Sequence, residues 1–109
     1  MILAHDIGTT GDKASLHHDD GRLIGTTTAG YPTLYDASGV VEQDPADWWD
    51  AFGRATRTLL TDHDVRVDEI SVVGISGQMM GAVLLDGAGE PVRPAIIWAD
   101  TRSQEQCAA

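Results

Sequence analysis

Apolar positions cluster at the start of the chain. Ile2, Leu3 and Ile7 predict a buried strand over residues 1–7, which Gly8-Thr9-Thr10-Gly11 ends with turn chemistry. Residues 13–18 alternate, with Ala14 and Leu16 on one face and Lys13 and Ser15 on the other, as a half-buried strand requires. Asp20-Gly21 signals a tight hairpin, and the threonine-rich residues 22–29 continue as a third strand. Residues 31–41, with Pro32 and Ser38-Gly39, read as a loop. Asp44-Pro45 starts a helix: the carboxylate caps free N–H groups, and proline suits the first helical position. Trp48, Phe52, Ala55 and Leu59 recur at helical spacing, and the helix is expected to stop near Asp62. Residues 70–75 form a continuous apolar run, predicting a strand covered on both faces. Ser76-Gly77-Gln78 interrupts it. Residues 79–85 and 92–98 predict two more strands around a Gly87-Ala88-Gly89 turn. Thr101 with Gln104 predicts a capping box for a helix beginning at Ser103.

This α/β order occupies 109 residues, enough for one small core. Seventeen acids against seven bases give a formal charge of −10, with Lys13 the only lysine. Such a balance argues against a nucleic-acid partner and against an anionic membrane surface. The single cysteine, Cys107, excludes an internal disulfide framework and a multi-cysteine zinc site. The chain has no long apolar run, and charged residues arrive almost at once, so a soluble cytoplasmic setting is expected.

Three segments could carry chemistry. In Asp6-Ile7-Gly8-Thr9-Thr10-Gly11-Asp12-Lys13 a carboxylate at a strand end meets a glycine- and threonine-rich turn. Glycines admit an anion to the backbone, and N–H groups with hydroxyls can surround phosphate oxygens. Asp6 could hold Mg²⁺, which takes few carboxylates and keeps its waters, and Lys13 adds a point charge. The same residues also suit an ordinary hairpin turn. Ser76-Gly77-Gln78-Met79-Met80-Gly81 reads as a place where a small ligand meets the backbone, or as a bulge with core methionines. In Ile96-Ile97-Trp98-Ala99-Asp100-Thr101-Arg102, Trp98 offers a flat wall for a sugar ring, Asp100 an acceptor and Arg102 a fork. A core tryptophan followed by a helix cap explains it equally. His17-His18-Asp19-Asp20 reads as a solvated hairpin tip, and Trp48-Trp49 as helix–sheet packing.

Together with Val41-Glu42-Gln43-Asp44-Pro45 before Trp48-Trp49, these segments resemble the N-terminal part of the FGGY family of carbohydrate kinases, xylulokinase-like members above all. The resemblance implies a ribonuclease H-like, actin-type ATPase fold, present as an incomplete N-terminal portion over residues 1–109 with the second domain absent. It implies ATP and Mg²⁺, with Gly8, Thr9, Thr10 and Lys13 toward the phosphates and Asp6 toward the metal. It places Gln78, Met79, Met80, Trp98, Asp100 and Arg102 near a sugar. Xylulokinases carry a histidine where Met80 stands, and a thioether cannot donate as imidazole does, so the implied substrate is a ketose or polyol. The family's general base falls outside residues 1–109. The expected function is therefore part of an ATP-dependent sugar kinase. A non-catalytic binding or assembly module, pairing with a separate remainder or with a second copy, is the rival. A phosphatase or NTPase using the same turn is the third reading.

Overall fold

A computed structural model describes all of residues 1–109, which divide into two compact units. The first comprises Met1–Tyr31 and Trp48–Gln78, the second Pro32–Asp47 and Met79–Ala109.

The first unit is a four-stranded sheet in the order β3-β2-β1-β6, backed by a helix. Its strands are β1 (Ile2–Ile7), β2 (Gly11–His17), β3 (Leu23–Gly30) and β6 (Val72–Gly77). The first three form the expected antiparallel meander, and β6 joins β1 in parallel. Gly21 turns the second hairpin with φ +86°, while the Asp20 carboxylate accepts the Arg22 N–H at 3.0 Å. Leu3, Ala14 and Leu16 lie buried against Ala51, Ala55 and Leu59 of α1 (Pro45–Asp62). Burying a leucine such as Leu16 or Leu59 contributes about 1.5–3 kcal/mol.

Helix α1 starts as its sequence predicts, with the Asp44 carboxylate accepting the Ala46 N–H at 2.9 Å. It ends where Asp64 turns left-handed (φ +52°) and the Val65 N–H closes on the Leu60 carbonyl at 2.9 Å. The buried stripe differs from the expected one. Ala51 faces the core in place of Phe52, because small residues let the helix approach the sheet closely. Phe52 instead stacks on His5 with ring centroids 3.9 Å apart. Trp48 packs against the core, but Trp49 is 76% exposed and only stacks on Phe52. The larger correction concerns β6. It is the edge of this sheet, and within residues 1–109 Val72, Val73 and Ile75 are more than half exposed.

The second unit holds a small antiparallel sheet, β4-β5-β7, from β4 (Leu34–Tyr35), β5 (Val41–Gln43) and β7 (Ala95–Ile96). Strand β4 falls inside the expected loop. The two long strands expected over 79–85 and 92–98 do not form. Met80 turns the chain with φ +61°, and Pro91 and Pro94 supply no N–H, so pairing shrinks to bridges at Ala82–Ile96 and Leu85–Pro91. The glycine turn between them does form, Gly89 (φ +86°) donating to the Asp86 carbonyl at 3.1 Å. Helix α2 is short (Gln104–Ala108), and the capping box is absent. Thr101 is held over Gly39, donating its N–H to the Gly39 carbonyl at 3.1 Å.

Candidate functional site

The first candidate lies in the first unit. The turn between β1 and β2 projects from the sheet, and cross-strand register places Asp6 opposite Lys13, with Ser76 beside Asp6 and Thr28 beside Lys13. Strand parity puts this row on the face opposite the one packed on α1. Asp6 and Lys13 are both exposed. A carboxylate and an ammonium therefore share one open face at the end of the turn.

The turn itself is built firmly. The Gly8 N–H points inward to the Gly11 carbonyl at 3.0 Å. The Gln78 N–H donates to the Ile7 carbonyl at 2.8 Å, fastening the end of β6 to the end of β1. The Tyr31 hydroxyl donates to the Gly8 carbonyl. Burial, and then the charges of Asp12 and Asp6, push this phenol up to about 12, so it keeps its proton at neutral pH. Thr10 is exposed at the tip and Thr9 partly so.

Beneath the turn is a group that sequence reasoning missed. His5 and Asp12 have fully buried side chains, and His5 Nδ1–H donates to Asp12 Oδ2 at 2.7 Å. His5 Nε2 faces Thr56 Oγ1 of α1 at 3.3 Å. The order hydroxyl–imidazole–carboxylate resembles a nucleophile relay, but its His and Asp are sealed under Phe52 and the sheet, which fits a structural clamp. One signal could have found it: Asp12 shares the parity of Ala14 and Leu16, the buried face of β2.

The second candidate lies in the second unit. Met80, Ile96, Trp98, Asp100, Arg102 and Gln106 are among the residues around an open depression of about 660 Å³. Trp98 and Met80 are exposed there, at 58% and 90%, instead of filling a core. The other two predicted residues are placed differently. Met79 is exposed outside the lining, and Gln78 belongs to the first unit.

Asp100 and Arg102 are engaged with each other. Arg102 Nε donates to both Asp100 oxygens at 3.0 Å, and Nη2 donates to Oδ2 at 2.7 Å. The Val41 N–H donates to Asp100 Oδ2 at 2.9 Å. Arg102 also pairs with Glu42, as does Arg93. Glu42 is buried and was not among the predicted site residues; its partners lie 51 and 60 positions away, so no local pattern reveals it.

The Arg102 guanidinium, followed by the Val41 N–H, holds the Asp100 carboxyl well below the usual carboxylate range. A carboxyl depressed in the folded state contributes stability in full above its ordinary value of 3.8 and loses it as pH falls further. Wild type is therefore expected to lose melting temperature more steeply than Asp100→Asn as pH drops from about 5 toward 2, the gap between the two curves narrowing without closing. Thermal melts across that range check it.

No group of three or more His, Cys, Asp or Glu side chains is placed to hold a metal ion alone. Asp6 fits Mg²⁺ only as a single carboxylate among waters and phosphate oxygens, the manner in which that ion is usually held. No helix is long and apolar enough to cross a membrane.

Residues 1–109 match the FGGY family of carbohydrate kinases, N-terminal domain. The chain is 36% identical to the xylulose kinase of Escherichia coli (strain K12) over 107 residues, covering 98% of this chain and 22% of that protein. It is 38% identical to the glycerol kinase of Symbiobacterium thermophilum over 108 residues, with the same coverage of 98% and 22%. Among solved structures, the "xyloylose kinase" of Brucella ovis superposes with a TM-score of 0.91 at 38% identity, covering 97% of this chain and 22% of that one. The chain thus spans about a fifth of the length of the curated relatives it matches. The fold is the expected α/β, actin-like ATPase fold, represented by its N-terminal portion.

Proposed function

Because the chain belongs to the FGGY family of carbohydrate kinases, we propose that it supplies the phosphate-facing turn and part of a sugar-binding surface of an ATP-dependent kinase acting on a ketose or polyol. Residues 1–109 are, in this reading, the N-terminal portion of a longer nucleotide-binding domain. The observation that carries the reading is the pairing of Asp6 with Lys13 across the mouth of the Gly8–Gly11 turn.

Phosphoryl transfer is mainly a matter of positioning and charge neutralisation. Lys13 would meet a phosphate oxygen as a point charge. The Thr9 and Thr10 hydroxyls would donate to phosphate oxygens, and the absence of a side chain at Gly8 would let the chain approach them. Asp6 would hold Mg²⁺ through its waters; bound there, the ion supplies charge neutralisation at the phosphates. Trp98 and Met80 would line an apolar sugar face. No general base is assigned within these residues, so the chain by itself is expected to transfer no phosphate.

The test is an amide NMR titration of the 109-residue chain with Mg²⁺ and ATP. Shifts are expected at residues 8–13, weakened at least about tenfold, or ~1.4 kcal/mol, in Asp6→Asn. Shifts elsewhere, with the turn unmoved, would overturn the phosphate-facing reading. Phosphate release without sugar would instead support an NTPase.

Exposed β6 favours one further reading, an assembly module that pairs with a separately encoded remainder of the kinase. The intact mass of the native gene product separates the two. A mass several times 11.6 kDa supports a single long kinase, and a mass near 11.6 kDa supports the module.

A further inference from the structure

Glu42 stands at the centre of the second unit's polar network, yet it does not line the depression. Its side chain is 7% exposed and takes two guanidinium groups, Arg93 from the segment before β7 and Arg102 from the segment after Trp98. With Asp100 the cluster holds two carboxylates and two guanidiniums, a neutral set. Only its two carboxylates are buried, and their burial is tolerable only while each keeps a guanidinium partner.

The cluster is wired to the turn that presents Trp98. Ile97 N–H donates to the Val41 carbonyl at 3.2 Å, one residue before Glu42. Asp100 N–H closes the turn on the Ile97 carbonyl at 3.0 Å, and Val41 N–H returns to the Asp100 carboxylate at 2.9 Å. Trp98 sits inside this closed turn with its indole exposed toward the depression. Arg102, the other end of the arrangement, is shared by Asp100 and Glu42.

We propose that Glu42 is a positioning residue: it fixes Arg102 and, through the Asp100 turn, the orientation of Trp98 in the depression. Arg102 then acts chiefly as a strut, and the ligand-facing surface is Trp98 with Met80. The assignment of a sugar to that surface rests on the proposed function; the positioning by Glu42 does not.

Removing the Glu42 charge leaves Arg93 and Arg102 facing each other without their shared carboxylate. Arg102 keeps Asp100, so the segment shifts without unfolding. Glu42→Gln preserves the size and tests the charge alone, while Glu42→Asp restores the charge on a shorter arm.

The experiment is ¹⁹F NMR of the full 109-residue chain labelled with 5-fluorotryptophan. The chain has three tryptophans, and Trp98→Phe assigns the resonance of interest. In Glu42→Gln the Trp98 line is expected to move or broaden, while the Trp48 and Trp49 lines stay and the Trp98 line remains distinct from its position in urea. Glu42→Asp is expected to return it part of the way. An unmoved Trp98 line overturns the proposal. Collapse of that line to its urea position also overturns it, because Glu42 would then merely hold the unit folded. Added xylulose and glycerol probe the other question. If the wild-type Trp98 line ignores both while Glu42→Gln still shifts it, the positioning role stands and the sugar assignment fails. If xylulose or glycerol moves the wild-type line, Glu42→Gln is expected to weaken that response at least about tenfold.

Discussion

Replacing His5 with leucine is expected to destabilise the chain by about 3–5 kcal/mol, the usual cost of leaving a buried carboxylate without its partner. The reason lies with the residue left behind. Asp12 is fully buried, and its Oδ2 has His5 as its partner at 2.7 Å. Its Oδ1 already lacks a hydrogen-bond partner. Leucine at position 5 would therefore strand a carboxylate with neither oxygen satisfied. Whole domains are stable by only about 5–15 kcal/mol, so much of the margin would go with this one change. The double variant His5→Leu/Asp12→Val removes both polar groups and keeps the apolar face of β1 and β2 continuous. It is expected to be as stable as wild type or more so, by up to about 4 kcal/mol. Urea unfolding followed by circular dichroism reads all three proteins. A His5→Leu chain within about 1 kcal/mol of wild type would show that the pair carries little stability.

The clamp also explains what was legible in the sequence. Local signals were read well: Asp20-Gly21 marked its hairpin, Asp44-Pro45 marked the start of α1, and the parity of Ala14 and Leu16 marked the buried face of β2. These depend on neighbours a few residues apart. The His5–Asp12 pair needed that parity extended by one step, onto a residue whose charge argues for exposure. Glu42 had no such signal, because its partners Arg93 and Arg102 arrive from distant segments. The exposure of Val72 and Val73 within residues 1–109 is hidden from the sequence for a related reason. Composition reports that a strand can be covered, and only topology decides whether it is, with β6 at the sheet edge. At the candidate sites, sequence named Asp6, Lys13, Met80 and Trp98 in positions where they stand exposed. It also named Asp100 and Arg102, which line the depression and pair with each other, Arg102 pairing with Glu42 as well.

The two glycines of the β1–β2 turn provide the second large effect, because they are glycine for different reasons. A Cβ on Gly11 would lie 2.7 Å from the Ala29 carbonyl oxygen and 3.0 Å from the Gly30 Cα. Both belong to β3, so only a backbone shift in the sheet could relieve the clash. Gly11→Ala is accordingly expected to cost about 1–3 kcal/mol, the usual range for overpacking. A Cβ on Gly8 would meet nothing closer than the Gly11 carbonyl at 3.4 Å, an ordinary contact, and Gly8 does not adopt positive φ. Gly8→Ala is expected to leave stability within about 1 kcal/mol, since alanine also lowers the entropy of the unfolded chain. The fold therefore demands glycine at 11 and tolerates alanine at 8. If Gly8→Ala folds as wild type does and loses the shifts induced by Mg²⁺ and ATP, the missing side chain at 8 serves the ligand. If it folds and keeps those shifts, the phosphates do not approach the backbone at Gly8, and binding at the turn falls to Lys13 and the threonine hydroxyls. Equal destabilisation by both substitutions would contradict the distinction drawn from the geometry.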